Sequence, residues 1–264
     1  MFNDYLIHIP HSSVTIPDDC RSRFLLDPED EFPYMTDWFT DELFDLPAQR
    51  LVFPVSRLVC DVERFRDDRL EEMSLRGMGA CYTHTHDGKR MRHLTQEQRE
   101  AILRRWYDPH HTQLTSLVRQ RLQRFGSCTV LDCHSFSPVP LPYEPDQNPD
   151  RPDICIGTDA FHTPTELTDR LVNAFQEMGY RVSVNTPYAG TMVPLEFYKT
   201  NARVRSVMIE VNRGLYLTDT CHKSNKFSIV AHDIRKALFR PANAGTSLPK
   251  QADMRLSPHA RKNI

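Results

Sequence analysis

Seven short, mostly apolar runs recur along the chain, and each has the length and composition of a buried β-strand. They cover residues 5–9, 50–53, 58–62, 128–132, 154–157, 181–185 and 207–211. Segments with apolar residues at helical spacing lie between several of these runs. Strands that alternate with helices are typical of a mainly parallel sheet covered on both faces. The pattern therefore predicts an α/β fold.

Four helices are predicted, over residues 37–46, 95–125, 163–178 and 224–239. The second begins with Thr95 and Gln98 in the positions of a capping box. Pro109 predicts a break in it, because proline disfavours helical backbone at the preceding residue. The third begins at Thr163, and Gly179 is suited to its C-terminal cap.

The end of the chain differs in composition from the rest. From Pro241 onward it is polar, contains proline and carries scattered positive charges, which predicts a disordered tail over residues 241–264. Residues 1–240 contain no internal repeat and are numerous enough for one large α/β domain. We therefore expect a single domain over residues 1–240.

Charge and cysteine content limit the possible partners. The net charge of −2 gives no excess of positive charge for binding nucleic acid. No run reaches the ~20 apolar residues of a membrane span, and the first residues lack the basic-then-apolar order of a signal peptide. The seven cysteines form no Cys-x-x-Cys pair, which favours reduced thiols in a cytoplasm. We expect a cytoplasmic protein that binds neither nucleic acid nor membranes, and its oligomeric state stays open.

Polar side chains cluster where four of the predicted strands end. The clusters lie at residues 8–11, 57–64, 132–135 and 210–213. Ligands of open α/β sheets bind in the crevice at the carboxyl ends of the strands. Glu210 is the most unusual member, because a carboxylate inside an apolar run is unfavourable unless it meets a metal, a positive charge or hydrogen bonds. A functional site and a buried ion pair with Arg57 or Arg64 both remain open for Glu210.

Histidines and carboxylates of this kind suit a catalytic zinc site with one position open to water. A further carboxylate can then act as general base. The chain has no His-Glu-x-x-His motif, so the ligands would have to converge from separate strands. The nearby arginines suit an anionic substrate, because a guanidinium group binds a carboxylate through two parallel hydrogen bonds.

A series of longer motifs carries a family resemblance. In chain order they are HIPHSSVTIP, TDWFTDELF, VSRLVCDVERF, GMGACYTHTHDGKR, YDPHHTQL, LDCHSFSP, RPDICIGT, NTPYAGTMVPLEFY and IEVNRGLYL. In order and spacing they resemble the N-formylglutamate amidohydrolase family, which is related to zinc carboxypeptidases and aspartoacylases. The resemblance implies that residues 1–240 form a catalytic domain with a single-domain, three-layer phosphorylase/hydrolase-like fold and a mixed, mainly parallel sheet.

The resemblance also implies a chemistry. Members of the family hydrolyse the amide bond of a small anionic N-acyl amino acid with one zinc ion. For N-formyl-L-glutamate the products are formate and L-glutamate, a step of histidine degradation. The same ligand types also accept other divalent transition metals.

The metal ligands are carried over from the matching motifs. The resemblance makes His11 and His134 zinc ligands and Asp37 the acidic ligand, with Asp41 as the alternative one turn later. Val14 stands where the carboxypeptidase relatives have an acid. Asp37 could instead be an acidic residue that stabilises the start of a helix.

The remaining site residues come from the same resemblance. It implies that Glu210 is the general base and that Arg57, together with the zinc, stabilises the oxyanion. Arg64, helped by Arg213, would bind a carboxylate of the substrate. Relatives often have asparagine at the position of Glu63, whose carboxylate would repel an acidic substrate unless it turns away.

Two further positions are predicted near the substrate. His111 matches a family position, and a surface helix histidine is the alternative. Gly190 suits a loop whose backbone approaches a ligand closely, and a simple tight turn is the alternative.

Two other functions remain open at this point. One is a carboxypeptidase-like or deacylase-like metallohydrolase that acts on another acylated amino acid or on a peptide. The other is a non-enzymatic binding protein with this fold, in which loss of a metal ligand or of Glu210 would be expected. The chain retains all of them.

Overall fold

One six-stranded sheet organises the described part of the chain, which is residues 4–219 and 221–239 of a computed structural model. The strands are β1 (Tyr5–Ile9), β2 (Gln49–Val52), β3 (Cys128–Phe136), β4 (Ile154–Gly157), β5 (Val182–Val184) and β6 (Val204–Asn212). Their order is β2-β1-β3-β6-β4-β5, and every neighbouring pair is parallel except β4 and β6. The predicted mixed, mainly parallel α/β sheet is confirmed.

Helices cover both faces of this sheet. They are α1 (Asp18–Arg21), α2 (Phe32–Met35), α3 (Thr40–Leu43), α4 (Gln96–Ile102), α5 (Asp108–Phe125), α6 (Thr165–Glu177) and α7 (Phe227–Phe239). Short 3₁₀ helices span Pro28–Glu31, Asp68–Leu70, Glu72–Arg76 and Arg213–Leu215, and a π-helical turn spans Leu103–Tyr107. No helix of the described residues is both long enough and apolar enough to span a membrane.

Alternation along the strands separates the two faces of the sheet. Ile7 and Ile9 of β1 point to the face where α6 and α7 pack, together with Ile209 of β6. Leu6 points to the opposite face, where α5 contributes Leu114 and other apolar side chains. The structure therefore has three layers, with the sheet between the two groups of helices.

The alternation also brings polar residues to the α5 face. His8 of β1 lies opposite Asp132 of β3, and His134 of β3 lies opposite Glu210 of β6. All four are even-numbered positions whose side chains share the face of Leu6. Parallel pairing therefore assembles a polar cluster from segments that are far apart in the sequence.

One predicted strand is wrong. Residues 58–62 form turns, in which the Val59 N–H donates to the Ser56 carbonyl and the Asp61 N–H donates to the Ala80 carbonyl. The apolar side chains of this run are buried in two smaller clusters formed by segments between residues 16 and 107. Burial in a loop gives the same apolar pattern as burial in a strand, which explains the error.

The other predicted strands hold, with shifts at their ends. Residues 5–9 and 154–157 have the predicted bounds, whereas β2 lies one residue earlier than predicted. The strands predicted at 128–132 and 207–211 are longer, because they pair with each other over nine residues in the centre of the sheet.

The long helical segment begins as predicted but does not break. Thr95 and Gln98 form the capping box. The chain passes through the π-helical turn at Leu103–Tyr107 and continues directly into α5, with Pro109 as the second residue of α5.

The other predicted helices are shorter than expected. Residues 37–46 contain only the single turn of α3, since Phe39 adopts a left-handed φ of 59° immediately before it. The helices predicted at 163–178 and 224–239 begin at Thr165 and Phe227. Gly179 follows the third with a φ of 91°, as suits a C-terminal cap.

All seven cysteines are free thiols, and six of them are buried.

The predicted disordered tail, residues 241–264, lies outside the described residues. The division of the chain at residue 240 therefore stays a prediction.

Thr95→Ala is expected to lower the free energy of unfolding by about 1 kcal/mol, because it removes the oxygen that accepts the Gln98 N–H. Urea denaturation measures the change. Thr112→Ala is the control, because Thr112 is exposed inside α5 and its hydroxyl bonds only the Asp108 carbonyl one turn earlier. Equal losses in the two variants would contradict a role for the cap.

Candidate active site

The ends of β1 and β3 meet the start of the α3 region at a buried cluster of possible metal ligands. One ligand atom each from His11, Asp37 and His134 lies within 4.8 Å of the others. The Oδ2 atom of Asp37 is 3.1 Å from His134 Nδ1 and 3.5 Å from His11 Nδ1. The Asp37 N–H donates to the His11 carbonyl, which holds the two segments together.

Both histidines turn the same ring nitrogen towards Asp37. Their other nitrogens bond to carboxylates, with 2.8 Å from His11 Nε2 to Asp61 Oδ1 and 3.1 Å from His134 Nε2 to Asp132 Oδ1. A carboxylate only accepts hydrogen bonds, so each Nε2 carries a proton. His134 Nδ1 bonds the carboxylate of Asp37 as well, so both nitrogens of that ring carry a proton and Nδ1 would release its own to bind a metal.

The cluster fits a divalent transition metal. The Nδ1 atom of His11 is buried and has no hydrogen-bond partner among the described residues. With Nε2 protonated, this atom has a free lone pair directed at the cluster. Two histidines and one carboxylate, with carboxylates behind the histidines, are a donor set typical of catalytic zinc.

Asp41, the alternative acidic ligand, lies elsewhere. It belongs to α3 and is partly exposed, and its carbonyl accepts a hydrogen bond from Arg50. Of the two candidates, Asp37 is the one that the structure brings to the histidines.

Glu210 lies beside the cluster and is buried, and its Oε2 atom has no hydrogen-bond partner in the described part of the chain. Burial raises its pKa to about 8; Asp37 and Asp132 also raise the pKa, while His134 and Arg57 lower it. Among the described residues, no ion pair within 4.0 Å joins Glu210 to Arg57 or Arg64. The structure therefore does not contain the ion pair that was the alternative for this residue.

Asp61 connects His11 to Arg57. Its Oδ1 atom accepts hydrogen bonds from His11 and from the Glu63 N–H, and its Oδ2 atom accepts from Arg57 and from the Tyr82 hydroxyl. Burial alone would raise the pKa of Asp61, but the charge of Arg57 and the hydrogen bond from His11 hold it well below its ordinary value. Asp61 is therefore an ionised carboxylate in the interior.

Arg64 has fewer partners than Arg57. Its side chain is 23% exposed, and its nearest carboxylate oxygens are 3.7 Å away on Asp61 and 3.9 Å away on Glu71. Its Nε atom is buried without a hydrogen-bond partner among the described residues. Arg64 therefore retains hydrogen-bonding capacity for an anion.

Arg213 is occupied. Its two terminal nitrogens donate to the carbonyl groups of Pro33, Tyr34 and Thr36. These contacts hold the segment that leads into Asp37. Its predicted contact with the substrate stays a prediction, and the contacts show a different use of the side chain.

Glu63 turns away from the arginines. Its Oε1 atom is 3.2 Å from Nδ1 of the buried His8, which also bonds Asp132 at 2.9 Å. Burial disfavours the charge on His8, but the hydrogen bond to Asp132 and the negative charge of Glu63 raise its pKa to about 9. The opposite ring nitrogen bonds His110, whose pKa burial lowers to about 2. His8 therefore carries a positive charge and donates one ring N–H to Asp132 and the other to His110. The same charge compensates the negative charge of Glu63.

The two predicted substrate contacts remain untested. His111 Nε2 lies 2.9 Å from the Val62 carbonyl, and the ring packs on Tyr107, so the side chain is part-buried. Gly190 has a φ of 88°, and a Cβ at Gly157 would lie 2.4 Å from the Gly190 carbonyl oxygen. The close approach at Gly190 is thus to the backbone of β4.

Sequence reasoning did not assign three tyrosines near the site. The Tyr82 hydroxyl bonds Asp61, and the Tyr188 hydroxyl bonds Glu144. Burial raises the pKa of Tyr143, while the positive charges of Arg57 and Arg64 lower it. Tyr82 and Tyr188 lie inside motifs of the family resemblance, whereas Tyr143 lies in a proline-rich loop without such a signal.

Comparison with known proteins gives consistent results. The sequence pattern of the N-formylglutamate amidohydrolase family matches residues 3–217. The crystal structure of an N-formylglutamate amidohydrolase from Ralstonia eutropha superposes with a TM-score of 0.78 at 23% identity, covering 90% of this chain and 92% of that one. The crystal structure of a gene product of Agrobacterium tumefaciens gives 0.62 at 21% identity, covering 89% and 90%. No curated protein sequence matches the chain significantly.

Glu210→Gln is expected to stabilise the metal-free protein increasingly between pH 5 and pH 8. The pKa of Glu210 is about 8 in the folded protein and ~4.3 in an unfolded chain, so folding retains a proton that the unfolded chain releases. The stability from this proton is complete below pH ~4 and is lost as the pH rises towards 8, by up to ~1.4 kcal/mol per unit. Glutamine has no such proton to lose.

Thermal denaturation in the presence of a chelator, at several pH values, measures the difference in Tm between variant and native protein. The difference should widen with pH. A variant that is less stable by ~3–5 kcal/mol at every pH would indicate a broken buried ion pair instead.

Proposed function

The chain belongs to the N-formylglutamate amidohydrolase family, and we propose that it uses a zinc ion bound by His11, Asp37 and His134 to hydrolyse N-formyl-L-glutamate to formate and L-glutamate. The observation that carries the metal is the buried, unpartnered Nδ1 of His11, which faces Asp37 beside His134. A zinc ion supplies Lewis acidity, which lowers the pKa of water and polarises a carbonyl group. Manganese, iron and cobalt accept the same ligand types.

Glu210 is the proposed general base. Its carboxyl group lies next to His134 in the sheet, is buried and has a free oxygen. It takes a proton from the attacking water and delivers that proton to the nitrogen of the leaving amine. Burial moves the pKa of Glu210 upwards from its ordinary value, and a carboxyl group with a raised pKa can both accept and return a proton near neutral pH.

Arg57 is the proposed oxyanion-stabilising group. Its Nε and Nη2 atoms are held by Asp61, whereas no described residue accepts a hydrogen bond from its Nη1 atom. A guanidinium group that is already fixed can meet developing negative charge without reorganising.

Arg64 is the proposed site for a carboxylate of the substrate. It is partly exposed, it is incompletely paired, and Glu63 does not compete for it because Glu63 pairs with His8. These features support a small anionic acyl amino acid as the substrate. His111, Gly190 and Arg213 remain further candidates for substrate contact.

His11→Ala, Asp37→Ala and His134→Ala are each expected to lose stoichiometric zinc and nearly all activity, because each removes a ligand from a three-ligand site. Atomic emission measures about one zinc per chain in the native protein. Asp41→Ala is the matched control, because Asp41 lies on the same segment but away from the histidines. Retained zinc in Asp37→Ala with loss in Asp41→Ala would transfer the role to Asp41.

An activity screen tests the substrate. N-formyl-L-glutamate should be hydrolysed faster than N-acetyl and N-succinyl amino acids and dipeptides. Arg64→Met should raise KM for it by ~10–100-fold, the size expected from a lost hydrogen bond between charged groups, and should abolish the preference over uncharged amide analogues. Arg69→Met is the control, since the Arg69 side chain is 88% exposed. Faster hydrolysis of a dipeptide would favour a peptidase, and no hydrolysis by a zinc-loaded protein would favour a binding protein.

A further inference from the structure

Asp61 is bonded to a proposed metal ligand and to a proposed substrate-stabilising group at the same time. We propose that Asp61 is a positioning residue that fixes the metal-binding tautomer of His11 and the placement of Arg57 together, so that metal binding and oxyanion stabilisation depend on one carboxylate. The inference rests on the proposed function, because it assumes that His11 is a metal ligand.

The His11 side of the contact is specific to one tautomer. The distance from Asp61 Oδ1 to His11 Nε2 is 2.8 Å, and the same oxygen accepts the Glu63 N–H at 2.9 Å. An ionised carboxylate can only accept, so this short contact keeps the proton of His11 on Nε2 and the lone pair on Nδ1, which is 3.5 Å from Asp37 Oδ2. The opposite tautomer would direct an N–H at Asp37 and could not bind a metal through that atom.

The Arg57 side uses the other oxygen. Asp61 Oδ2 accepts from Arg57 Nη2 at 2.8 Å, from Arg57 Nε at 3.2 Å and from the Tyr82 hydroxyl at 2.6 Å. Asp61 is completely buried, so water does not compete for either oxygen. Asp61 therefore holds the guanidinium group of Arg57 by the edge that carries Nε and Nη2. This contact fixes the direction in which the Nη1 atom points.

The saturation of Asp61 makes asparagine an informative substitution. Every group around the two oxygens is a donor, so the NH₂ of an asparagine must face donors on one side. If it faces His11, it favours the tautomer with the proton on Nδ1. If it faces Arg57, it releases the guanidinium group.

Asp132 provides an internal comparison. It bonds His134 Nε2 as Asp61 bonds His11 Nε2, but its other partners are His8 and the Met192 N–H, and no arginine of the described residues bonds it. Asp132→Asn should therefore disturb a metal ligand without releasing Arg57. Because Asp132 also raises the pKa of Glu210, kcat is compared on the alkaline plateau of the pH profile, where Glu210 is ionised in both variants, and a difference there reports the contribution of Asp61 to Arg57.

The experiment uses purified native protein, Asp61→Asn and Asp132→Asn. Zinc and cobalt(II) affinities are measured by competition with a chromophoric chelator, together with the visible spectrum of the cobalt(II) forms. Both variants should bind metal ~10–100-fold more weakly, as removal of a carboxylate behind a ligating histidine does elsewhere, and their cobalt(II) bands should shift. At saturating cobalt(II), kcat of Asp61→Asn should be at least ~10-fold below that of Asp132→Asn, because only Asp61→Asn also disturbs Arg57.

The outcomes separate this inference from the proposed function. Native protein that binds neither metal overturns both. Native protein that binds zinc, with Asp61→Asn binding it equally well, overturns the inference alone. Weakened binding with equal kcat in the two variants at saturating cobalt(II) overturns the coupling to Arg57.

A second measurement does not require a folded variant. Long-range ¹H–¹⁵N correlation spectra of the native protein at pH 8.5 report which nitrogen of each histidine carries the proton. The inference expects the proton of His11 on Nε2 both without metal and with zinc. A proton on Nδ1 in the metal-free protein would overturn it.

Discussion

The candidate site depends on the burial of many ionisable side chains at one edge of the sheet. His8, His11, Asp37, Asp61, Asp132, His134 and Glu210 are all at most 8% exposed. An isolated charge in such surroundings is strongly unfavourable, so each group needs a partner. The partners form a chain of contacts from His110 through His8, Asp132, His134, Asp37, His11 and Asp61 to Arg57. Among the described residues, His11 Nδ1 within this chain and Glu210 Oε2 beside it lack a hydrogen-bond partner, and both lie where the proposed chemistry takes place.

The sheet explains how this chain of contacts forms. Adjacent parallel strands place residues of equal register on the same face, so His8 meets Asp132 and His134 meets Glu210 without any local motif. Turns 56–62 then cover the end of β1 and bring Asp61 to His11. The sheet therefore supplies His134 and Glu210, whereas the long segment between β2 and β3 supplies Arg57 and Arg64.

Sequence reasoning predicted the strands of the sheet more accurately than the segments that cover it. The runs that became β1 and β4 had the period and length of strands, and they are strands with the predicted bounds. The run at 58–62 had the same composition, but its apolar residues are buried in a loop cluster, which hydrophobic periodicity does not distinguish from a strand. The shortened helix at 37–46 depends on the left-handed backbone of Phe39, a tertiary effect that no residue preference indicates.

For the site as well, sequence reasoning identified the candidate residues but not their surroundings. Polar residues at strand ends indicated where a site would lie, and the family resemblance supplied the candidate ligands. Neither indicated what surrounds each side chain, and this is why three similar arginines differ. Arg213 is occupied by the carbonyl groups before Asp37, Arg57 is fixed along one edge by Asp61, and Arg64 is partly exposed with few partners. A charged group can recognise a substrate only with the hydrogen-bonding capacity that the fold leaves unused. The unused capacity of an arginine depends on neighbours that are distant in the sequence. Only the folded structure therefore distinguishes Arg57 and Arg64, as candidates for substrate binding, from Arg213.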